Sequence, residues 1–261
     1  MFSYLDPFTK TYLLLLCAVL GLVMGSALNC LAFRMAHQQK WTGGRSRCVS
    51  CGHELKWNDL VPVFSYLFLK GRCRYCGEKI SPRYFLAELT LGIVFPALLL
   101  RYDLSLDFAV MAVLFGCLFC LSLVDLDTFE IPNRFLVIPG VLRLSQLVYV
   151  YGLSSPFLKQ VLPAAGILIG LLALVLVMDK VLGKESMGGG DIKLLSLLAL
   201  FFSFPEWLLL LLVSCILGLV LAATLGAKKG IAFPFGPAIS AAAFLVSLFG
   251  SQIAGWYLSL F

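Results

Sequence analysis

Long apolar runs separated by short polar connections limit the fold of this sequence more than any other feature. A helix that crosses a bilayer needs about 20 apolar residues. Only 13% of the 261 residues are charged, about half the fraction found in soluble domains. We therefore predict an all-α polytopic membrane protein with about eight transmembrane helices. The predicted helices are 11–33, 84–100, 107–124, 135–151, 160–178, 192–203, 207–226 and 236–258.

Three domains follow from these runs. Residues 1–33 contain a first transmembrane helix without a cleavage site, so we expect it to be retained. Residues 34–83 form a polar, cysteine-rich domain, and residues 84–261 form the transmembrane core. The run 192–203 is short for a span, and it could be tilted, partly re-entrant or joined to its neighbour across Pro205.

The distribution of Lys and Arg predicts the orientation of the chain. Residues 34–83 carry ten of them, and the other connections expected on the same face carry six more. The opposite face carries three, Lys10, Arg101 and Lys159. Positive charge marks the cytoplasmic side, so the cysteine-rich domain is predicted to be cytoplasmic and both termini outside. Arg143 lies inside the fourth run, where we expect it to face a water-filled cavity or a carboxylate.

Two Cys-x-x-Cys pairs in the polar domain have the spacing of a zinc site. Such pairs form a tetrahedral four-thiolate centre, and the alternatives are free thiols or two disulfides. Gly52 and Gly77 follow the two pairs and suit tight turns. We expect His53 to be structural, and nearby arginines to offset the negative charge of the thiolates. The predicted ligands of this small zinc-ribbon-like domain are Cys48, Cys51, Cys73 and Cys76, and the arginines are Arg45, Arg47, Arg72 and Arg74.

Two carboxylates occur where apolar runs end on the predicted cytoplasmic face. Asp125 closes the third run, and Asp191 follows three glycines before the sixth. Packed together, they would form a pair that shares one proton, as in aspartic proteases. Each could instead be structural, Asp125 as part of an acidic loop and Asp191 as the N-cap of a helix beginning at Ile192. As an N-cap, Asp191 would be ionised and would activate water, with the shared proton on Asp125.

Other candidate features have simpler explanations. Asp127 and Glu130 lie farther from the apolar run than Asp125 and are expected to be solvated. Cys117 and Cys120 are expected to be packing residues. Gly21 and Gly25 predict close contact between two helices. The stretch 233–237, which contains two prolines, predicts a broken helix entry that either lines a substrate cleft or is only a loop.

Taken in order, these motifs resemble the type IV prepilin peptidase family over nearly the whole chain. The matching residues are Gly25-Ser26-Ala27-Leu28-Asn29 with Arg34, the two cysteine pairs, Pro62-Val63-Phe64-Ser65-Tyr66, Gly71-Arg72-Cys73-Arg74, Glu88, Asp125 running to Ile131-Pro132, Gly188-Gly189-Gly190-Asp191 with Lys193, and Pro234-Phe235-Gly236-Pro237.

The resemblance implies that Asp125 and Asp191 are the catalytic aspartates of a Gly-x-Gly-Asp membrane peptidase in the bacterial inner membrane. Its substrates would be prepilins or pseudopilins, cut after a glycine between a basic leader and an apolar helix. It also implies methylation of the new N-terminal residue with S-adenosylmethionine, for which the sequence shows no glycine-rich nucleotide-binding motif. Residues expected to line the cleft are Gly188, Gly189, Gly190, Lys193, Pro234 and Gly236.

Two alternatives to the bifunctional enzyme remain at this point. The chain could be a peptidase without methyltransferase activity. It could also be a metal-handling transporter whose cysteines deliver zinc and whose aspartates line a path. We expect the bilayer and a prepilin as partners, and no nucleic acid, because the basic residues follow the pattern that orients membrane proteins.

Overall fold

A computed structural model describes residues 5–40, 46–183, 187–224 and 233–260. Within these ranges the chain forms α-helices, one 3-10 turn and isolated β-bridges, and no strand. Four of the basic residues used to predict orientation and charge balance, Arg45, Lys184, Lys228 and Lys229, lie outside the described residues. The chain divides into two compact units, Met1–Phe108 and Ala109–Phe261.

The first unit contains helices α1 (Pro7–Ala36), α2 (Phe64–Phe68) and α3 (Pro82–Tyr102). Both long helices begin at a proline that follows a capping residue. Asp6 accepts a hydrogen bond from the Thr9 N–H at 2.9 Å, and Ser81 caps α3 in the same way. Proline is favoured at the first helical position because its missing N–H would have no partner there.

Helices α1 and α3 pack against each other through glycines, which confirms the predicted close contact. A Cβ atom added to Gly25 would lie 2.8 Å from the backbone oxygen of Ala87, and one added to Gly21 would collide with that of Leu91. Gly92 of α3 meets the side chain of Leu22 in turn. Small residues let two backbones approach, and this is the usual basis of helix packing in membranes.

The described part of the second unit contains six helices. Helix α4 has the most buried sequence of the long helices, and α8 and α9 pack along each other. Cys117 and Cys120 are buried in α4, as expected of packing residues. The six helices are α4 (Leu106–Thr128), α5 (Arg134–Tyr151), α6 (Ser155–Leu182), α7 (Gly189–Leu198), α8 (Phe204–Thr224) and α9 (Gly236–Leu258).

Each of the eight predicted apolar runs falls on a helix of the described residues, but six of these helices are long and apolar enough to cross a membrane. Helix α7 has only ten residues, and α5 has 18 with Arg143 among them. The count of eight spans is therefore approximate. Helix α7 is also not joined to α8, because it ends at Leu198 and α8 begins at Phe204.

Three polar side chains hold the C-terminal half of α7 in place. The indole N–H of Trp207 donates to the Leu195 carbonyl at 2.9 Å. Arg143 and Gln160 both donate to the Leu200 carbonyl at 3.1 Å. Arg143 also donates to Gln146 Oε1 of its own helix at 2.8 Å, and its bond to the Leu200 carbonyl lies just beyond the end of α7. A cation is favourable there because helix C-termini carry partial negative charge.

We expect Gly25→Val to destabilise the protein by about 1–3 kcal/mol, because the added atoms would force α1 away from α3. Thermal unfolding of the purified protein in detergent measures the change. Gly170→Val is the matched control, since a Cβ atom there meets nothing within 4 Å. Equal midpoints for the two variants would contradict the role given to Gly25.

Candidate active site and metal centre

Asp125 lies near the C-terminal end of α4 and is only 4% exposed. The backbone N–H of Gly236, the first residue of α9, donates to its Oδ2 at 2.8 Å. A Cβ atom on Gly236 would lie only 2.8 Å from that same oxygen. The start of α9 therefore meets the carboxylate at a point where only glycine fits, and its N-terminal dipole favours negative charge there.

Asp191 is the third residue of α7, in its first turn. The prediction that Asp191 is an N-cap is wrong. Gly188 occupies the N-cap position and makes no side-chain capping bond, so α7 begins at Gly189, three residues earlier than expected. A Cβ atom on Gly188 would lie 3.2 Å from Asp191 Oδ2, which shows that the carboxylate turns back over the glycines.

The segments that carry the two aspartates pack against each other. A Cβ atom on Gly190 would lie 2.9 Å from Cβ of Ile131, which follows the α4 helix of Asp125. Two residues farther along, Asn133 accepts a hydrogen bond from Lys193 Nζ at 3.2 Å. The structure thus brings the two predicted aspartate motifs together, although Asn133 and Lys193 are 60 residues apart in the sequence.

Asp191 lies outside the six helices that are long enough to cross a membrane. Its surroundings favour the protonated form of the carboxyl group. Burial of the carboxyl group, followed by repulsion from the charge of Asp125, raises the pKa of Asp191 to about 7. The helix dipole favours ionisation, but desolvation outweighs it here. The expectation that Asp191 is fully ionised at neutral pH is therefore not supported.

The other predicted cleft residues differ in exposure. Gly189 and Lys193 are exposed, whereas Pro234 is buried before the start of α9. A Cβ atom on Gly189 would meet nothing within 4 Å, so this glycine is not required by packing. Asp127 and Glu130 are exposed, as expected for solvated carboxylates.

A hydroxyl pair near Asp125 was not predicted. Ser122 donates to Ser240 Oγ at 2.9 Å, and Ser240 donates to the Gly236 carbonyl at 2.8 Å. These bonds tie α4 to the first turn of α9, next to the contact between Asp125 and Gly236. The available signal was a serine three residues before Asp125 and another four residues after Gly236, each within an apolar run.

The four predicted metal ligands in the first unit form one cluster. Their Sγ atoms all lie within 4.8 Å of one another, and Cys48 Sγ is 3.9 Å from Cys76 Sγ. A tetrahedron with zinc–sulfur bonds of 2.3 Å has edges of about 3.8 Å. All nine cysteines are free, so the disulfide alternative is not supported. The cluster has the composition and the size to hold a metal ion.

The two cysteine turns repeat the same backbone geometry. The N–H of Gly52 donates to the Cys48 carbonyl, and the N–H of Gly77 donates to the Cys73 carbonyl, both at 2.9 Å. The two glycines have φ of +70° and +72°, which confirms their role in the turns. Each turn is closed by a short antiparallel bridge, Arg47 with Glu54 and Arg72 with Lys79.

Side chains around the cluster lock the second turn in place. Asp59 accepts hydrogen bonds from Arg74 Nε at 2.6 Å and from the Tyr75 hydroxyl at 2.9 Å. Tyr75 also packs on the ring of His53 at 3.7 Å, which confirms a structural role for this histidine. Arg74 is thus paired with Asp59, and Arg47 is paired with Glu54 at 2.8 Å. These two arginines have carboxylate partners and do not simply offset thiolate charge.

Comparison with known proteins shows which family the chain belongs to. The profile described as Bacterial Peptidase A24 N-terminal domain matches residues 19–102, and the Type IV leader peptidase family profile matches residues 112–223, which contain both aspartates. A Pseudomonas putida protein is 33% identical over 93% of this chain and 92% of its own length. The chain belongs to the type IV leader peptidase family.

Other relatives of this peptidase agree. A Myxococcus xanthus protein is 33% identical over 89% of this chain and 68% of its own length, and a Dichelobacter nodosus protein is 36% identical over 80% and 72%. All three are named prepilin leader peptidase/N-methyltransferase. No solved structure matches the chain. The protein is a multi-pass membrane enzyme, and the transporter alternative is not supported.

We expect Asp191→Asn to become more stable than the native peptidase as pH rises from 4 to 8. The unfolded carboxyl group loses its proton near its ordinary pKa of 3.8, whereas the folded group keeps it until about 7. The stability that the protonated group contributes is complete below pH 4 and is lost as pH rises through 7. The gain at pH 8 should be on the order of 4 kcal/mol.

Thermal unfolding of the detergent-solubilised protein across this pH range measures the effect. Asp127→Asn is the control, because it removes an exposed carboxylate from the same part of the chain. A constant difference between Asp191→Asn and the native protein from pH 4 to 8 would contradict the assigned environment of Asp191.

Proposed function

We propose that this enzyme removes the basic leader from type IV prepilins or pseudopilins after a glycine and then N-methylates the new N-terminal residue. Asp125 and Asp191 are the catalytic pair. The observation that carries the proposal is that the segments bearing the two aspartates pack together, through Gly190 on Ile131, and that the charge of Asp125 contributes to raising the pKa of Asp191 to about 7. The names of the relatives support the substrate class and the second activity.

The contacts of the pair suggest how the two carboxyl groups divide the work. Asp191, whose pKa of about 7 keeps it partly protonated at neutral pH, donates its proton to the carbonyl oxygen of the scissile bond. Asp125 is the carboxylate that accepts a proton from the attacking water, through Oδ1, because Oδ2 already accepts from Gly236. Water oxygen bonds to the carbonyl carbon to give a tetrahedral intermediate with two hydroxyl groups. The C–N bond then breaks as the amine nitrogen takes the proton that Asp125 received and one hydroxyl proton returns to Asp191, which restores the carbonyl and both carboxyl groups.

The glycines before Asp191 suit an extended substrate. Gly188 and Gly189 are exposed, and Gly188 lies beside the carboxylate, so a peptide backbone can approach without meeting side chains. Gly190 packs on Ile131 and holds the segment in position. Lys193, fixed by Asn133, places a positive charge at the edge of this cleft, and Gly236 with Pro234 forms its α9 side.

The proposed orientation puts the active site and the cysteine-rich domain on the cytoplasmic face of the inner membrane, with both termini outside. The charge distribution supports it, since sixteen Lys and Arg fall on one face and three on the other. This orientation requires the shorter helices α5 and α7 to cross together with the six longer ones, because eight crossings put both aspartates on one face and both termini on the other. A prepilin leader is basic and would be on the same cytoplasmic face.

Zinc is the proposed occupant of the four-cysteine cluster. Four thiolates at tetrahedral spacing leave no open position for substrate, so the metal would stabilise the small domain and take no part in catalysis. S-adenosylmethionine is the proposed methyl donor. Because the described residues contain no strand, they contain no nucleotide-binding turn of the strand-to-helix type, and we assign no residue to the cofactor.

Asp125→Asn and Asp191→Asn should each lower leader cleavage by about 10²–10⁴-fold, because each removes one of the two groups that move protons. The assay is cleavage of a purified prepilin in proteoliposomes, with Asp127→Asn as an active control. Near-native cleavage by either variant would exclude the catalytic pair. A second measurement separates the bifunctional enzyme from a peptidase that does not methylate. It compares, by mass spectrometry, the N-terminus of the product made with and without S-adenosylmethionine.

The purified full-length enzyme should contain about one zinc ion per chain, and Cys48→Ser should lose it because one of the four ligands is removed. Metal analysis of the detergent-solubilised protein measures the content. Cys215→Ser is the control, since this exposed cysteine of α8 lies outside the cluster. Unchanged zinc in Cys48→Ser, or no zinc in the native enzyme, would rule out the proposed site.

A further inference from the structure

Helix α2 exposes an apolar face that neither the metal cluster nor the peptidase site uses. Phe64, Leu67 and Phe68 are 55%, 56% and 83% exposed. They occupy positions i, i+3 and i+4, which share one face of a helix. Tyr66 points the other way and stacks on Phe85 of α3, with ring centroids 5.3 Å apart. One face of α2 is therefore fixed to α3, and the opposite face is apolar and uncovered.

The position of α2 is fixed by an unusual backbone contact. The N–H of Val63, which caps α2, donates to Glu88 Oε2 at 2.7 Å. Val63 has φ of +65°, a conformation that is costly for a β-branched residue. Such a conformation persists only where its surroundings enforce it. Together with the stacking of Tyr66, this bond holds α2 beside the first two turns of α3.

Those turns lie where the first unit enters the membrane. Leu86 is the first large apolar side chain of α3 with substantial exposure, at 56%. On α1, Gly25 packs on Glu88, since a Cβ atom there would lie 2.9 Å from Glu88 Cα. Met24, at 41%, is the last large apolar residue of α1 with comparable exposure among the described residues. The exposed apolar surfaces of α1 and α3 therefore both end at the level of Glu88. Because α2 is hydrogen-bonded to Glu88, it lies at that level too.

The charge next to α2 suits a lipid headgroup region. Lys70 and Arg72 follow the helix directly and are exposed. Residues 46–83 carry seven Lys and Arg against three acidic residues. Exposed aromatic and aliphatic side chains beside basic ones are typical of helices that lie in the membrane interface.

We propose that α2 is an interfacial anchor, with Phe64, Leu67 and Phe68 inserted at the boundary of the headgroups and acyl chains of a phospholipid bilayer. Lys70 and Arg72 then contact anionic headgroups. Since Arg72 immediately precedes the ligand Cys73, the anchor holds the second cysteine turn at the membrane surface. The cysteine-rich domain is thus attached to the bilayer at a third point, in addition to the helices at its two ends.

The test places the photoreactive amino acid p-benzoylphenylalanine at single positions of the full-length enzyme in vesicles of phosphatidylcholine and phosphatidylglycerol. Position 68 should give lipid adducts on irradiation, detected by mass spectrometry of the peptide. Position 66, on the face packed against α3, should give at least about fivefold less. Position 49 is the second control, because Val49 is 80% exposed on the first cysteine turn and matches Phe68 in exposure.

Lipid adducts at position 68 that clearly exceed those at 66 and 49 support the anchor. Equal yields at 68 and 49 would overturn it, since exposure alone would then explain the adducts. Adducts of position 68 with another protein chain in place of lipid, either a second copy or an added prepilin, would also overturn it. Each outcome is independent of whether the chain methylates or cleaves its substrate.

Discussion

The hydrogen bond between the Gly236 N–H and Asp125 is the contact on which the site depends most directly. It joins the most buried long helix of the second unit to the first residue of the last helix, across 111 positions of sequence. A carboxylate that is 4% exposed needs such a donor, because a buried charge without a partner is costly. The bonds of Ser122 and Ser240 add a second tie between the same two helices.

Helix α7 presents a different problem, because it carries Asp191 on a helix shorter than a bilayer core. Ten residues span only about 15 Å, half the thickness of a bilayer core. Its buried leucines pack it into the bundle, and Trp207 and Arg143 bind carbonyls in its last turn and just beyond its end. The two ends of the helix therefore have partners of different charge. The carboxyl group of Asp191 lies at the N-terminal end, and the cation of Arg143 lies at the C-terminal end.

The sequence was sufficient to predict the helices and the cysteine turns, because both depend on short-range patterns. Apolar runs of about 20 residues become helices in a membrane, and Cys-x-x-Cys-Gly closes its own turn. It could not show that Arg143 binds the Leu200 carbonyl, or that Gly188 caps α7 in place of Asp191. Those outcomes depend on packing between distant segments, and on a helix start that three successive glycines leave undetermined.

Glycine is required in this enzyme for three separate physical reasons, and the sequence indicated two of them. Gly52 and Gly77 supply positive φ, a requirement visible from their place after a cysteine pair. Gly25 lets two helix backbones approach, which depends on the partner helix. Gly236 leaves room for a carboxylate oxygen at its own amide. At this last position even a methyl group would displace the carboxylate while the backbone N–H still required an acceptor, so packing and catalysis set the same requirement there.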